Sequence, residues 1–297
     1  MRRLVLPAFI ELLKPITWFP PMWAFACGVA SAGGLVSQRW AFLLLGVILT
    51  GPLVCACSQI VNDWYDRHFD AINEPQRPIP SGRIPGNWGF YLALIWTGLS
   101  LAVGTLLGPW GFAATCVGLV LAWLYSAPPI RLKQNGWWGN GAVGLCYEGL
   151  PWITGAALMS THLSPDIRSV ELALLYSLGA HGIMTLNDFK AVQGDFRMGV
   201  RSLPVQLGVE KAAKCACIVM TLPQILVITL LAQWNHPDSA WVVGLMLLAQ
   251  ILCMLRWLKQ PKELAPWYNA TGVTLYVLGM LVSAFALSHT ETQIIGT

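Results

Sequence analysis

Long apolar runs recur along the whole chain, and each has the length that crosses a hydrocarbon layer. About 20 apolar residues in a helix span the roughly 30 Å core of a bilayer. Nine such runs are present, at about 16–36, 40–61, 88–108, 110–126, 139–160, 169–187, 212–233, 239–257 and 267–288. Within lipid a backbone must satisfy its own N–H and C=O groups, so runs of this length fold as helices. Only 11% of the residues are charged, whereas a soluble domain carries about a quarter. The expected fold is therefore all-α, a polytopic membrane bundle of nine transmembrane helices with loops capping one face.

The first fifteen residues, MRRLVLPAFIELLKP, combine charge and a proline without a small-residue cleavage site. They read as an amphipathic helix lying on the membrane, not as a signal peptide. Of the 18 Lys and Arg residues, 16 fall in the N-terminus and in the loops after the second, fourth, sixth and eighth runs. Arg39 and Arg168 alone fall on the other face. By the positive-inside rule the N-terminus and these loops are cytoplasmic, and an odd span count leaves the C-terminus outside. The net charge of +4 reflects that basic face and does not indicate nucleic-acid binding. All eight cysteines lie within the apolar runs, and the expected state is reduced packing, not disulfides or a metal site.

One polar stretch stands out against this background. Residues 62–86 read NDWYDRHFDAINEPQRPIPSGRIPG, directly after the second run, with Asp63, Asp66, Asp70 and Glu74 close together. A second stretch, NDFKAVQGDFRMGVRSLPVQLG at 187–208, follows the sixth run. Asn62-Asp63 precedes Asp70 by the same interval at which Asn187-Asp188 precedes Asp195. Arg77-Pro78-Ile79-Pro80 is echoed by Arg201-Ser202-Leu203-Pro204 with an offset of one residue. The chain thus reads as one membrane domain over 1–297 with an internal pseudo-repeat, its motif copies at 62–84 and 187–208. Membrane proteins built this way place their sites between the two halves.

At 100° per residue, a continuous helix puts Asp63, Asp66 and Asp70 within an arc of about 60°. Three carboxylates on one stripe repel unless a cation sits among them. An all-oxygen set of this kind suits Mg²⁺, which takes one or two carboxylates together with waters and phosphate oxygens. Asp188 and Asp195 offer a second wall, where Gly194 is expected to end or break the helix. The Gly and terminal Glu of an EF-hand loop are missing, which excludes that Ca²⁺ motif. Arg67, Arg77, Arg83, Arg131, Lys133, Lys190, Arg197 and Arg201 share the face of the aspartates. Acids that hold a metal beside bases that hold phosphate oxygens describe a diphosphate site.

NDxxDxxxD after the second run and NDxxxxxxD after the sixth resemble the two aspartate-rich motifs of the UbiA superfamily of intramembrane prenyltransferases. The likeness covers essentially the whole chain. NDWYDRHFDAINEPQRPIPSGRI, YSAPPIRLKQNGWWGN (125–140), GLCYEGLPW (144–152) and HGIMTLNDFKAVQGD (181–195) are similar to the chlorophyll- and bacteriochlorophyll-forming branch. PITWFPPMWAFACG and PWYNATGVTLYVLGM resemble the bacteriochlorophyll side of it. The resemblance implies esterification of the 17-propionate of bacteriochlorophyllide a by a C20 prenyl diphosphate, geranylgeranyl or phytyl, with release of diphosphate. It implies that Asp63, Asp66, Asp70, Asp188 and Asp195 bind Mg²⁺, expected as two ions, with Asn62 and Asn187 in support. It further implies phosphate contacts from Arg77, Lys190 and Arg201, beside Arg67. Tyr125, Arg131 and Lys133 fall in the loop matching the family's tyrosine/lysine loop, here longer and holding Pro128-Pro129. The implied setting is the photosynthetic inner membrane of a bacterium, with other pigment-biosynthesis or photosystem-assembly membrane proteins as partners.

Three further residues are candidates through their surroundings. An ionisable group inside the membrane is a functional candidate by default, which singles out Glu148 and His181. Glu148 is placed to line the cavity. His181 either meets the macrocycle near its central metal or ties two helices together. Phe19 enters the first run among Thr17, Trp18 and Pro20, and either touches the macrocycle edge or anchors at the interface. Two other readings stand beside this one: a UbiA-type enzyme with another acceptor, and a transporter or pigment carrier with an ion site at the repeat interface. The carrier reading calls for ionisable groups near the midplane, whereas most of the acids here gather at one surface.

Overall fold

The computed structural model describes residues 6–34, 36–160 and 164–294, with side chains placed through residue 288. Arg2 and Arg3, used above to orient the chain, lie outside the described residues. The helices in chain order are α1 (Leu6–Leu13), α2 (Phe19–Ser31), α3 (Val36–Ile48), α4 (Ala56–Asn73), α5 (Trp88–Leu106), α6 (Gly108–Ser126), α7 (Gly136–Gly144) and α8 (Leu150–Met159). They continue with α9 (Ile167–Asp188), α10 (Val192–Arg197), α11 (Leu203–Leu207), α12 (Val209–Gln233), α13 (Pro237–Trp257) and α14 (Pro261–Ile294). Two π-helical stretches, Leu49–Cys55 and Leu145–Gly149, join α3 to α4 and α7 to α8. Among the described residues the only β pairing is a single bridge between Asn135 and Arg201.

Among the described residues seven helical stretches are long and apolar enough to cross a membrane: Val36–Asn73, Trp88–Leu106, Gly108–Ser126, Ile167–Asp188, Val209–Gln233, Pro237–Trp257 and Pro261–Ser288. This is a multi-pass membrane architecture, but two of the nine expected runs differ. The first becomes α2, a helix of 13 residues, about 20 Å long at 1.5 Å per residue. The fifth is one continuous helical path through α7, the π turn and α8, diluted by glycines and by Asn140, Tyr147 and Glu148. Both line the central cavity; α2 is apolar but short, whereas in the α7–α8 path polar and small side chains displace the apolar ones that mark a span. The second run extends further than its hydropathy, because the helical path from Val36 to Asn73 runs on through the first acidic motif in α4.

Glycines set how closely the helices approach. A Cβ on Gly28 of α2 would strike the backbone carbonyl of Trp152 on α8, and one on Gly155 would strike the carbonyl of Phe25. Gly144 sits against Ser177 of α9 in the same way, and Gly182 against Ala216 of α12. Small residues let backbones touch where lipid offers no hydrophobic drive for association. Among the described residues three buried clusters result, the smallest around Phe25, Leu49 and Leu158. Of the two larger ones, one gathers residues of α2, α8, α9 and α12–α14 around Trp152, Tyr176 and Tyr276, and the other joins α1, α4, α5 and α6 around Ile60 and Leu92. These two flank the site.

Candidate active site

The two π stretches face the same space. Pro52 lies within the first, and its missing N–H interrupts the regular ladder. Such bulges recur at functional sites because they re-aim side chains. Thr50, Val54 and Cys55 from one stretch and Cys146, Tyr147 and Glu148 from the other line a cavity of about 730 Å³. Phe19 and Trp23 of α2, Ile183 and Met184 of α9, and Val273 and Val277 of α14 give it apolar walls. A polar seam runs along one side: Gln59 Nε2 donates to the Tyr147 hydroxyl at 3.2 Å, and Cys55 Sγ lies 3.6 Å from the same oxygen.

A smaller pocket of about 290 Å³ adjoins this cavity, the two sharing Tyr125, Asn140 and Asp188 in their walls. Asp66 lines it from α4, Asp188 from the end of α9 and Asp195 from α10, with Arg131 and Lys133 between them. The loop carrying these two bases is strapped to the second motif. Arg201 N donates to Gln134 O and Gly136 N to Arg201 O, both at 2.8 Å. From that anchorage Arg131, held at φ +40°, and Lys133 reach back to Asp66 on the first motif. One short loop therefore spans both acidic walls.

The expected stripe on α4 divides in two. Asp63 and Asp70 are buried, at 1% and 5% exposure, and do not line the pocket. Lys14 reaches Asp63 Oδ1 at 2.6 Å, and Arg77 contacts the same atom at 3.5 Å and Asp70 at 3.0 Å. Burial opposes the charge on Arg77, but Asp63, Asp70 and Glu74 together carry its pKa above the ordinary arginine value. The second wall is built differently from the first. α9 stops at Asp188 and a new helix starts at Val192, so the break precedes Gly194, which lies inside α10.

The other expected residues fall at varying distances from this centre. Asn62 and Asn187 line the large cavity, Asn62 donating to Ser126 Oγ at 3.2 Å. Phe19 is a cavity residue stacked on Trp23 at 5.7 Å. Arg67 lies over the Trp64 ring at 3.9 Å and donates to the Trp64 carbonyl, away from both cavities. Lys190 and Arg201 are exposed and line neither cavity. His181 lines neither; its Nε2 is 3.2 Å from the Trp137 carbonyl, which ties α9 to α7.

The comparisons with known proteins place this geometry. A model of the UbiA prenyltransferase family matches residues 18–278. The chain belongs to the UbiA prenyltransferase family. It is 60% identical over 284 residues to the bacteriochlorophyll synthase 33 kDa chain of Cereibacter sphaeroides, covering 96% of this chain and 94% of that one. It is 41% identical over 297 residues to the chloroplastic chlorophyll synthase of Oryza sativa subsp. japonica, covering 94% and 76%. A solved structure of a UbiA homologue from Archaeoglobus fulgidus, bound to GPP and Mg²⁺, has the same fold. It superposes with a TM-score of 0.71 at 18% identity, covering 92% of this chain and 99% of that one. A digeranylgeranylglyceryl phosphate synthase structure gives 0.75 at 23% identity, covering 94% and 98%.

In this UbiA bundle, among the described residues, no three acidic, His or Cys side chains converge closely enough to hold a metal by themselves. The acids instead stand on two walls, and their donor atoms suit a cation shared with a phosphate ligand. Asp63 Oδ2 and Arg131 Nε are buried without hydrogen-bond partners. Burial raises the Asp195 carboxyl above the usual range, a hydrogen bond from Ser202 only partly opposing it. The carboxylates of Asp66, Asp188 and Asp195 that line the pocket are hard oxygen donors of the kind that bind Mg²⁺ carried in on a diphosphate.

Sequence reasoning missed two members of the site. Lys14 was counted only as a topological charge, and nothing local ties it to Asp63, 49 residues away. Asn140, whose Nδ2 is 3.3 Å from Asp188 Oδ2, carried a signal that was available: a carboxamide inside an apolar run.

Proposed function

We propose that this chain has bacteriochlorophyll synthase activity: it esterifies the 17-propionate of bacteriochlorophyllide a with geranylgeranyl or phytyl diphosphate and releases diphosphate. The observation that carries this reading is the 60% identity to the Cereibacter relative across nearly the whole of both chains. Chlorophyllide as acceptor is the second reading, supported by the weaker 41% identity to the rice protein. In our reading the protein crosses the membrane nine times, α2 and the α7–α8 path included, with the acidic end cytoplasmic. The two motif copies form the walls of one site.

Asp66, Asp188 and Asp195 would hold Mg²⁺, as two ions, against the diphosphate, while Asp63 and Asp70 fix Lys14 and Arg77 behind them. The bound metal supplies positive charge that stabilises the departing diphosphate. Arg131 and Lys133 line the same pocket, so their N–H groups turn from Asp66 to phosphate oxygens as the donor enters. Asn140 and Tyr125 stand at the join of the two cavities, where the allylic carbon would lie. Beyond them the apolar walls exclude water that would capture the developing allylic cation, and Phe19 and Trp23 present ring faces to it. The acceptor is already a carboxylate, so no strong base is required.

The test is transfer by purified protein supplied with each prenyl diphosphate and with bacteriochlorophyllide a or chlorophyllide a. Esterified bacteriochlorophyllide and released diphosphate are expected in equal amounts, both abolished by a chelator and restored by Mg²⁺. Transfer to chlorophyllide alone would select the second reading, and chelator-insensitive transfer would remove the metal assignment.

A further inference from the structure

Glu148 is an ionisable side chain in the wall of the large cavity. It is 6% exposed, and one of its carboxyl oxygens, Oε2, has no hydrogen-bond partner. Two strong donors of the surrounding helices are committed elsewhere, Trp23 Nε1 to the Val277 carbonyl at 3.1 Å and the Tyr276 hydroxyl to the Tyr176 carbonyl at 2.6 Å, which leaves the weak thiol donor of Cys27 nearby. No Lys, Arg or His is among the cavity-lining residues. An isolated carboxylate is prohibitively costly in such surroundings, so the group is held as the neutral acid, an O–H donor awaiting an acceptor. The π turn that carries Glu148 aims it at the cavity beside Tyr147.

A C20 hydrocarbon chain gains nothing from a carboxyl group in its wall, so this residue marks the acceptor's half of the cavity. Its depth narrows the contact further. Glu148 lies eight residues beyond Asn140 along the same helical path, about 12 Å from the level of Asp188 at 1.5 Å per residue. With the reacting propionate at the mouth, a group at that depth faces macrocycle substituents remote from the propionate. On bacteriochlorophyllide a the ring opposite the propionate-bearing one carries only alkyl groups, and the 3-acetyl group, on a ring beside it, is the ring carbonyl that lies deeper in the cavity. The keto group next to the propionate-bearing ring stays near the mouth.

We infer that Glu148 is a specificity-determining residue that donates a hydrogen bond to the 3-acetyl carbonyl of the tetrapyrrole acceptor. This rests on the function proposed above. It adds which part of the acceptor is read, and by which atom.

The experiment measures acceptor binding to the purified full-length protein without prenyl donor, by quenching of tryptophan fluorescence. The ligands are bacteriochlorophyllide a and its 3-vinyl analogue, in which a vinyl replaces the acetyl group. Wild-type protein is expected to favour the acetyl pigment by about tenfold, the scale set by leaving a buried polar group unmatched. Glu148→Leu abolishes that preference while leaving the KM for the prenyl diphosphate unchanged, and Glu148→Gln, which retains a donor, keeps most of it. Resonance Raman spectra of the pigment on wild-type protein give a second readout that needs no variant. The acetyl carbonyl stretch is expected below its position in aprotic solvent. An unshifted stretch, or an acetyl preference that survives in Glu148→Leu, overturns the inference while wild-type transfer continues. Absence of transfer to any tetrapyrrole by the wild type would instead be the failure of the proposed function.

Discussion

Asn140 donates from Nδ2 to Asp188 Oδ2 at 3.3 Å and to Thr185 Oγ1 at 3.2 Å, two acceptors three residues apart on α9. It does so at the wall shared by the acid-lined pocket and the apolar cavity. A helix surface brings residues three apart onto one face, so a single carboxamide on α7 grips one face of α9. The contact fixes the direction of the Asp188 carboxylate at the point where the helix carrying it ends.

Replacing Asn140 by Leu should therefore weaken the site more than the fold. A hydrogen bond to a charged group contributes about 1.5–3 kcal/mol, corresponding to about ten- to a hundredfold in activity. The loss is expected in kcat/KM for the prenyl diphosphate, with Asn140→Gln recovering part of it. Unchanged kinetics in the Leu variant, with folding confirmed by gel filtration in detergent, would remove Asn140 from the site.

Lys133 sets an alkaline limit on activity. Burial pulls its ammonium pKa below the ordinary lysine range, and the neighbouring Asp66 only partly restores it. The charged form is complete below that lowered pKa and is lost as pH rises through it. Because the folded pKa lies below the unfolded one, the unfolded chain binds more protons between the two values, so stability rises with pH there while phosphate binding falls. kcat/KM reports the free enzyme. Its profile should decline at a pH below about 10.4, the ordinary lysine value, and Lys133→Arg should move the decline upward. Identical profiles for the two proteins would show that another group sets the limit.

The helix crossings make a separate prediction about stability. Gly28 faces the Trp152 carbonyl with no room for a Cβ, whereas Gly98 on α5 has nothing within 4 Å of one. Overpacking typically costs about 1–3 kcal/mol, and here the obstacle is backbone, which cannot swing aside. Gly28→Ala should lower the thermal midpoint in detergent by several degrees. Gly98→Ala should hold or raise it, because Ala is favoured over Gly in helix interiors by about 1 kcal/mol. Equal midpoints for the two variants would mean that α2 and α8 separate easily.

Much of this arrangement was legible in the sequence because lipid imposes a length and a composition on what crosses it. The long apolar runs, the paired Asn-Asp motifs and the bases on their face are local patterns. What escaped was non-local. No spacing rule says that Lys14 folds onto Asp63, or that the loop after α6 is strapped to Arg201 and reaches Asp66. Nor does a helical wheel show that one stripe divides, Asp63 and Asp70 turning to Lys14 and Arg77 while Asp66 faces the pocket. That division depends on where the basic partners arrive. α2 is apolar but too short to read as a span, and the α7–α8 path reads weakly because the residues that shape its cavity face dilute its hydropathy.

Asp66 and Asp195 test whether the two motif copies work as one site. They line the same pocket from different helices, Asp66 on α4 and Asp195 on α10. If both walls grip one metal-bound diphosphate, removing either wall leaves the other without its ligand. Each single Ala variant should then lose about a hundredfold or more in turnover, the scale for deleting one electrostatic contact to developing charge. Independent contributions would multiply, to about ten-thousandfold in the double variant, whereas groups acting as a unit lose little more together than singly. The expected result is a double variant close to either single one, measured as initial rate at saturating Mg²⁺. Bacteriochlorophyllide should still bind all three proteins, because the cavity walls that would hold it are untouched. A normal rate for Asp195→Ala beside an inactive Asp66→Ala would confine the diphosphate to the first motif, and the second copy would then serve the fold alone.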